Sequence, residues 1–114
     1  MADPLHVLVT GGAGFIGSHL VDLLLERPDR RVTVLDRLSR GGSLANLEAH
    51  ARDPRLRFVR GDVDDAGLVG PLVAEADAVV HAAAESHVDR SIDAPRAFLE
   101  ANVLATQTVL EACR

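Results

Sequence analysis

Apolar residues along this chain fall into short runs separated by polar or amphipathic stretches. The first run, LHVLVT from Leu5 to Thr10, is rich in branched side chains and stops at Gly11-Gly12. A run of that length bounded by glycine predicts a buried strand. In the following FIGSHLVDLLLE, residues Ile16, Leu20, Leu23 and Leu24 recur at helical spacing, and Pro28 stands just past the expected end. A second strand is predicted from Arg31 to Asp36. A short helix is expected around Leu44 to Ala49, inside an otherwise polar segment, and a third strand from Leu56 to Asp62. DAGLVGPLVAEA reads as a helix that Gly70-Pro71 breaks or restarts. DAVVHAAA, Asp77 to Ala84, predicts a fourth strand. A long final helix follows in APRAFLEANVLATQTVLEACR, with Pro95 in its first turn.

Strands that are apolar along their length and alternate with helices belong to a parallel sheet covered on both faces. The expected fold is therefore α/β: the βαβαβαβα portion of a Rossmann-type doubly wound parallel sheet, with right-handed crossovers and strand order 3-2-1-4. No repeat, linker or low-complexity stretch divides it, so residues 1–114 are expected to form one unit. The pattern stops at Arg114 without a closing strand, so the C-terminal strands of such a sheet are expected to lie outside this chain. Open sheet edges would make the isolated piece prone to aggregation.

Composition narrows the classes. With 114 residues, 47% hydrophobic and 25% charged, the chain matches a globular domain with a core. The net charge is −5 and no basic run occurs, which argues against a nucleic-acid partner. Cys113 is the single cysteine, so no intrachain disulfide is expected and a reducing compartment is the default. Cys113 itself is expected to be a buried small hydrophobe. Neither a signal peptide nor an apolar run of the roughly 20 residues that span a bilayer is seen, so a cytoplasmic location without membrane attachment is expected. His6, His19, His50, His81 and His87 have spacings that fit no standard ligand set, and no metal is expected. His81, inside a strand, reads as a core or supporting residue. All 12 basic residues are Arg, and Tyr is absent.

VTGGAGFIG contains Gly12-x-Gly14-x-x-Gly17 and equally Gly11-x-x-Gly14-x-x-Gly17, between a strand and a helix. In that context the first glycines permit a tight turn, Gly14 lets backbone approach a pyrophosphate, and Gly17 packs the helix close to the strand. The phosphates would sit on free amides at the helix N-terminus. Asp36 ends the second strand 19 residues after Gly17 (36 minus 17). An acidic group there accepts hydrogen bonds from adenosine ribose hydroxyls and repels a ribose phosphate, favouring NAD over NADP, although Arg37 beside it blunts the preference. Asp62 and Val63, after the third strand, stand where adenine would lie; a strand-end Asp serves equally as a helix cap. Asp64 and Asp65 read as such a cap.

The fourth strand runs into HAAAESHVDRS. Small residues Ala82, Ala83 and Ala84 would let a cofactor lie against the strand end. Glu85, Ser86, His87 and Asp89 would then form one wall of a pocket. His87 reads equally as loop surface, Asp89 and Arg90 as a mutual pair or helix cap, and Asn102 as a cofactor contact or a structural group.

At this point TGGAGFIGSHL, with its acidic strand end, resembles the extended short-chain dehydrogenase/reductases that act on nucleotide sugars. AAESHVDRSI, followed by Pro95, Phe98, Glu100 and Asn102, resembles the dTDP-glucose 4,6-dehydratases in particular, and the likeness covers only the N-terminal part of such an enzyme. The resemblance implies that Phe15 and Ile16 amides meet the pyrophosphate of NAD. It implies that Asp36, Arg37, Leu38 and Ser39 follow the adenosine ribose, and Asp62 and Val63 the adenine. Ala82, Ala83, Ala84, Glu85 and Ser86 would follow the nicotinamide half, with Ser86 and His87 facing a nucleotide-sugar substrate. The implied reaction oxidises dTDP-glucose at C4, eliminates water across C5–C6 and returns hydride to C6. The family's Tyr-x-x-x-Lys pair and Asp-Glu pair have no counterpart here, so no catalytic residue is expected in this chain, and a substrate domain is expected to be missing too. Members often dimerise through helices that include the final one. Two features depart from the pattern. SRGGS, Ser39 to Ser43, replaces a TYAGN type of loop, and Ala101 stands where Thr is frequent. The loop leaves open a UDP-sugar 4-epimerase or UDP-glucuronate decarboxylase. The missing Tyr and Lys leave open a non-catalytic dinucleotide-binding module.

Overall fold

The structure is a computed structural model that describes residues 4–38, 42–83, 103 and 105–114. Its elements are β1 (Leu5–Thr10), α1 (Phe15–Leu25), β2 (Arg30–Asp36), a 3-10 helix (Leu44–His50), β3 (Leu56–Arg60), α2 (Ala66–Glu75), β4 (Ala78–His81) and α3 (Ala105–Cys113). The strands form one parallel sheet in the order β3-β2-β1-β4, as the alternation of strands and helices predicts.

β1 from Val7 to Thr10 and β2 from Val32 to Asp36 are buried because both their faces are covered. Val7 pairs with Val32 and Val9 with Val34. These four side chains share one face and pack with Ala13, with Val21 and Leu25 of α1, and with Leu47 of the 3-10 helix. Leu8 and Leu35 point the other way, into a second core with Val63, Val69 and Leu72 around α2 and Val109 of α3. Burying each such side chain contributes about 1.5–3 kcal/mol. β3 and β4 are the edges and are only half covered.

Three details differ from the sequence expectation. α1 buries Gly17, Ser18, Val21 and Leu25, leaving Ile16 75% and Leu23 61% exposed. The inward stripe is rotated away from Ile16 and Leu23 because Gly17 is seated against the Gly11 carbonyl. Gly70-Pro71 does not break α2, which runs through Pro71. Burial of Val69 and Leu72 on either side of the proline holds that helix on the sheet. Cys113 is exposed instead of buried. The residues of α3 that meet the second core are Val109 and Ala112, and Cys113 follows at the helix end, past that contact.

Two strands are also shorter than expected. β3 stops at Arg60, where Gly61 turns the chain and donates its N–H to the Asp36 carbonyl at 3.2 Å. β4 stops at His81, with one more pairing bond from the Ala82 amide to the Thr10 carbonyl at 3.0 Å. The expected start of the final helix, with Pro95, falls outside the described residues. Asp65 caps α2 by accepting from the Leu68 amide at 3.2 Å, whereas Asp64 accepts from Thr108 Oγ1 of α3 at 3.4 Å. Among the described residues no helix is long and apolar enough to cross a membrane.

Candidate functional site

Parallel strands bring all four carboxyl ends to one edge of the sheet. The chain leaves β1 towards β2 on one side, and β4 lies on the other. Ligands of such sheets bind in the crevice at that reversal.

The glycine turn fills the crevice floor. Gly11 has φ +72°, and a Cβ there would stand 2.7 Å from the Ala83 backbone, so β1 and β4 meet there backbone to backbone. A Cβ on Gly17 would collide with the Gly11 carbonyl oxygen. Gly14 is different. Its φ of −79° and ψ of 177° suit any residue, and among the described residues a Cβ there would meet only the Gly11 oxygen, at 3.3 Å. Internal packing therefore explains Gly11 and Gly17, while Gly14 keeps a surface bare.

Gly14 is also the N-cap of α1, which has no side-chain cap and no acidic residue in its first turn. The amides of Phe15, Ile16 and Gly17 are those a helix leaves without intrahelical acceptors, at the positive end of its dipole. Phe15 and Ile16 carry large apolar side chains that are 76% and 75% exposed beside them. A bare backbone, free amides and a positive dipole end together suit a diphosphate.

The Ala13 peptide is locked from both sides. Its N–H donates to Asp36 Oδ2 at 3.0 Å. Its carbonyl accepts from the Ser43 amide at 3.0 Å and from Asn46 Nδ2 at 2.7 Å. Asp36, 9% exposed, also accepts from the Leu38 amide at 2.8 Å. A carboxylate offers about four lone-pair sites. Asp36 thus retains acceptor capacity after steadying the turn. Leu38 has φ +60°, an uncommon conformation for a bulky residue, held by that bond and by packing of its side chain on the first core. Nothing in the sequence marks this strained position.

Arg37 Nη1 lies 3.4 Å from Asp62 Oδ2, with both side chains nearly half exposed. Asp62 Oδ1 accepts from the Asp64 amide at 2.9 Å, so Asp62 shapes its own turn and leaves the capping of α2 to Asp65. Val63 is 8% exposed, and its side chain packs in the second core. Ala82 and Ala83 are half-buried at the end of β4, against Gly11. Ser39, Ala84, Glu85, Ser86 and His87 lie outside the described residues, as do Asp89, Arg90 and Asn102.

One link has no signal in spacing. Thr10 Oγ1 is 2.6 Å from His81 Nδ1, and His81 Nε2 is 3.0 Å from Thr106 Oγ1 of α3. Partial burial pushes the His81 imidazole below its ordinary pKa, by desolvation of the charged form. The other described histidines are engaged elsewhere: His6 with Glu75 and Thr33, His19 with the Phe15 carbonyl, His50 with Asp22. Among the described residues no three His, Cys, Asp or Glu side chains are grouped to hold a metal ion.

The chain is similar to known proteins. A dTDP-glucose 4,6-dehydratase from Actinoplanes sp. is 49% identical over 114 residues, covering 95% of this chain and 36% of its own length. The crystal structure of a dTDP-glucose 4,6-dehydratase from Streptomyces venezuelae with NAD bound is 54% identical with a TM-score of 0.89, covering 95% of this chain and 35% of that one. A UDP-glucuronic acid 4-epimerase from Bacillus cereus, in complex with UDP-glucuronic acid and NAD, is 32% identical with a TM-score of 0.88, covering 96% of this chain and 36% of that one. The chain thus spans about a third of the length of the relatives it matches. The profile of the family described as GDP-mannose 4,6 dehydratase matches residues 8–114, nearly the whole chain, and with the fold and the glycine turn in agreement, the chain belongs to that family.

Proposed function

We propose that this chain is the NAD-binding part of a dTDP-glucose 4,6-dehydratase, converting dTDP-glucose to dTDP-4-keto-6-deoxyglucose. The observation that carries the reading is Gly14, where a Cβ would meet a single described atom, the Gly11 oxygen, at 3.3 Å, set among helix amides without intrahelical acceptors at the sheet's switch point. When bound, the dinucleotide supplies reversible two-electron chemistry: the sugar is oxidised at C4, loses water across C5–C6 and is reduced at C6.

The residues of this chain bind and orient. The amides of Phe15 and Ile16, with Gly14, hold the diphosphate. Asp36 takes the adenosine ribose hydroxyls with the acceptor capacity left after Ala13 and Leu38, and disfavours a phosphorylated ribose. Arg37, Leu38 and Ser39 continue that wall. Asp62 and Val63 border the adenine, and the segment Ala82 to Ser86 lies along the nicotinamide half. Ser86 and His87 face the sugar. The proton-transfer groups come from sequence beyond these residues, since the chain has no Tyr and its 12 basic residues are all Arg. The whole protein works in the cytoplasm as a homodimer.

A second reading is a UDP-sugar 4-epimerase. The Bacillus cereus epimerase, at a TM-score of 0.88, supports it, as does the SRGGS loop. Incubating the full polypeptide with dTDP-glucose and with UDP-glucose separates the two. A dTDP-sugar product lighter by one water supports the dehydratase. A UDP-sugar of unchanged mass but inverted C4 supports the epimerase and overturns the first reading.

A further inference from the structure

The deepest polar contact at the carboxyl edge is one that the dinucleotide reading leaves unused. Thr10, the last residue of β1, is fully buried, yet its hydroxyl serves two partners. It accepts from the Ala83 amide at 3.4 Å and lies 2.6 Å from His81 Nδ1. A hydroxyl that accepts from Ala83 still holds a proton for the ring, and in the tautomer with its N–H on Nε2 the ring accepts that proton at Nδ1. The ring N–H is then on Nε2, where it donates to Thr106 Oγ1 at 3.0 Å. The result is a chain of donors running from the backbone of Ala83 through Thr10 and His81 to α3.

That backbone is one side of a close seam between β1 and β4. Ala83 N and Cα stand 2.7 Å from where a Gly11 Cβ would be. Asp36 lies on the β2 side of β1, so a dinucleotide with its adenosine there and its diphosphate on the glycine turn must lay its other half on the β4 side, along Ala82 and Ala83. We propose that His81 is a positioning residue for that second half, fixing the spacing between the glycine turn and the Ala82–Ala83 backbone by fastening Thr10 to α3. The inference rests on the dinucleotide reading above and adds a residue to it. The ring is suited to the task because it stays neutral: partial burial disfavours its charged form. A neutral ring keeps one donor and one acceptor, as the two threonines require.

The test uses the full polypeptide and two probes, NAD⁺ and ADP. ADP shares the adenosine and diphosphate but has no second half. Losing one well-formed hydrogen bond changes affinity about tenfold. His81→Leu is therefore expected to weaken NAD⁺ about tenfold while ADP binds as before. His81→Asn, whose side-chain oxygen falls where Nδ1 stands, is expected to regain most of the loss. Thr106→Val, which keeps the ring and frees its α3 end, is expected to shift NAD⁺ in the same direction by less, and serves if the leucine variant does not fold. Unchanged NAD⁺ affinity in the leucine and valine variants overturns the proposal. So does a parallel loss of NAD⁺ and ADP that asparagine does not repair, since that is the mark of a merely structural contact. If the unsubstituted protein binds neither nucleotide, the dinucleotide reading falls and this proposal with it.

Discussion

The two ends of the sheet are built from similar materials to opposite effect. At the amino end the chain closes on itself. The His6 ring donates from Nδ1 to the Glu75 carbonyl at 3.0 Å and accepts from Thr33 Oγ1 at 2.7 Å. The His6 amide donates to Asp77 Oδ2 at 2.9 Å, and the Asp77 amide returns a bond to the His6 carbonyl at 2.7 Å. Arg55, held by Asp53, caps the end of α1 by donating to the Leu25 carbonyl at 3.0 Å and the Arg27 carbonyl at 2.8 Å. At the carboxyl end Asp36, Thr10 and His81 are also bonded, but their bonds steady a surface left open. The α1 N-terminus has no side-chain cap, Gly14 is bare, and Phe15 and Ile16 stand exposed. Polar satisfaction by itself therefore does not mark a site; the informative signs are a helix end without a cap and a glycine where one close contact alone opposes a side chain.

Substitutions can break this contrast in graded ways. The largest effect is expected at Leu8, fully buried between the two ends, where Leu8→Ala should cost about 2–5 kcal/mol in denaturant unfolding and weaken both ends alike. Gly17→Ala comes next. Its methyl meets the Gly11 oxygen, and about 1–3 kcal/mol of overpacking is expected together with loss of NAD⁺ binding. His6→Leu removes the partner of the buried Thr33 hydroxyl and should cost about 1–3 kcal/mol by the same unfolding assay, with NAD⁺ affinity unchanged. Gly14→Ala inverts that outcome. Its stability cost stays below about 1 kcal/mol, set by alanine being a poor N-cap, while calorimetric titration shows NAD⁺ affinity falling by more than tenfold.

The smallest effect comes from pH and has opposite positions at the two ends. His81 has a pKa lowered from 6.5, so the unfolded chain binds its proton first. Its share of stability is complete above 6.5, declines as pH falls from there towards the folded value, and changes no further below it. Asp53 has a pKa lowered from 3.8, mainly by its hydrogen bonds from Arg55, so its share is kept above 3.8 and is lost only as pH falls through the folded value. Amide exchange followed from neutral into acid should show the carboxyl end loosening before the amino end.

How far the sequence disclosed these two ends follows from the kind of physics each rests on. Strand order, parallel pairing and the glycine turn were legible because they rest on local periodicity and on the steric demands of glycine at Gly11 and Gly17. The inward face of α1 was not, because Ile16 and Leu23 are as apolar as the residues that are buried. Only the seating of Gly17 on Gly11, a contact between backbones, decides the rotation. Pro71 read as a break, since the packing that holds α2 together comes from other elements. Cys113 read as buried, since composition says nothing about where the core ends. At the site, the position of Asp36 at the end of β2 was legible. Its bonds to Ala13 and Leu38, the clasp of Ser43 and Asn46 on the Ala13 carbonyl, and the His81–Thr106 link join residues far apart in sequence. No spacing rule reaches them.

The central claim is that the carboxyl end, and not the amino end, receives a dinucleotide. Hydrogen–deuterium exchange of the full polypeptide with and without NAD⁺ tests it most directly, because both ends are read in one experiment. The account expects slowed exchange in segments containing Phe15 to Ser18, Leu38, Asp62 and Ala82–Ala83, with segments containing Leu5–His6, Arg55 and Glu75–Asp77 unchanged. Protection at the amino end, or none at either end under saturating NAD⁺, would contradict it.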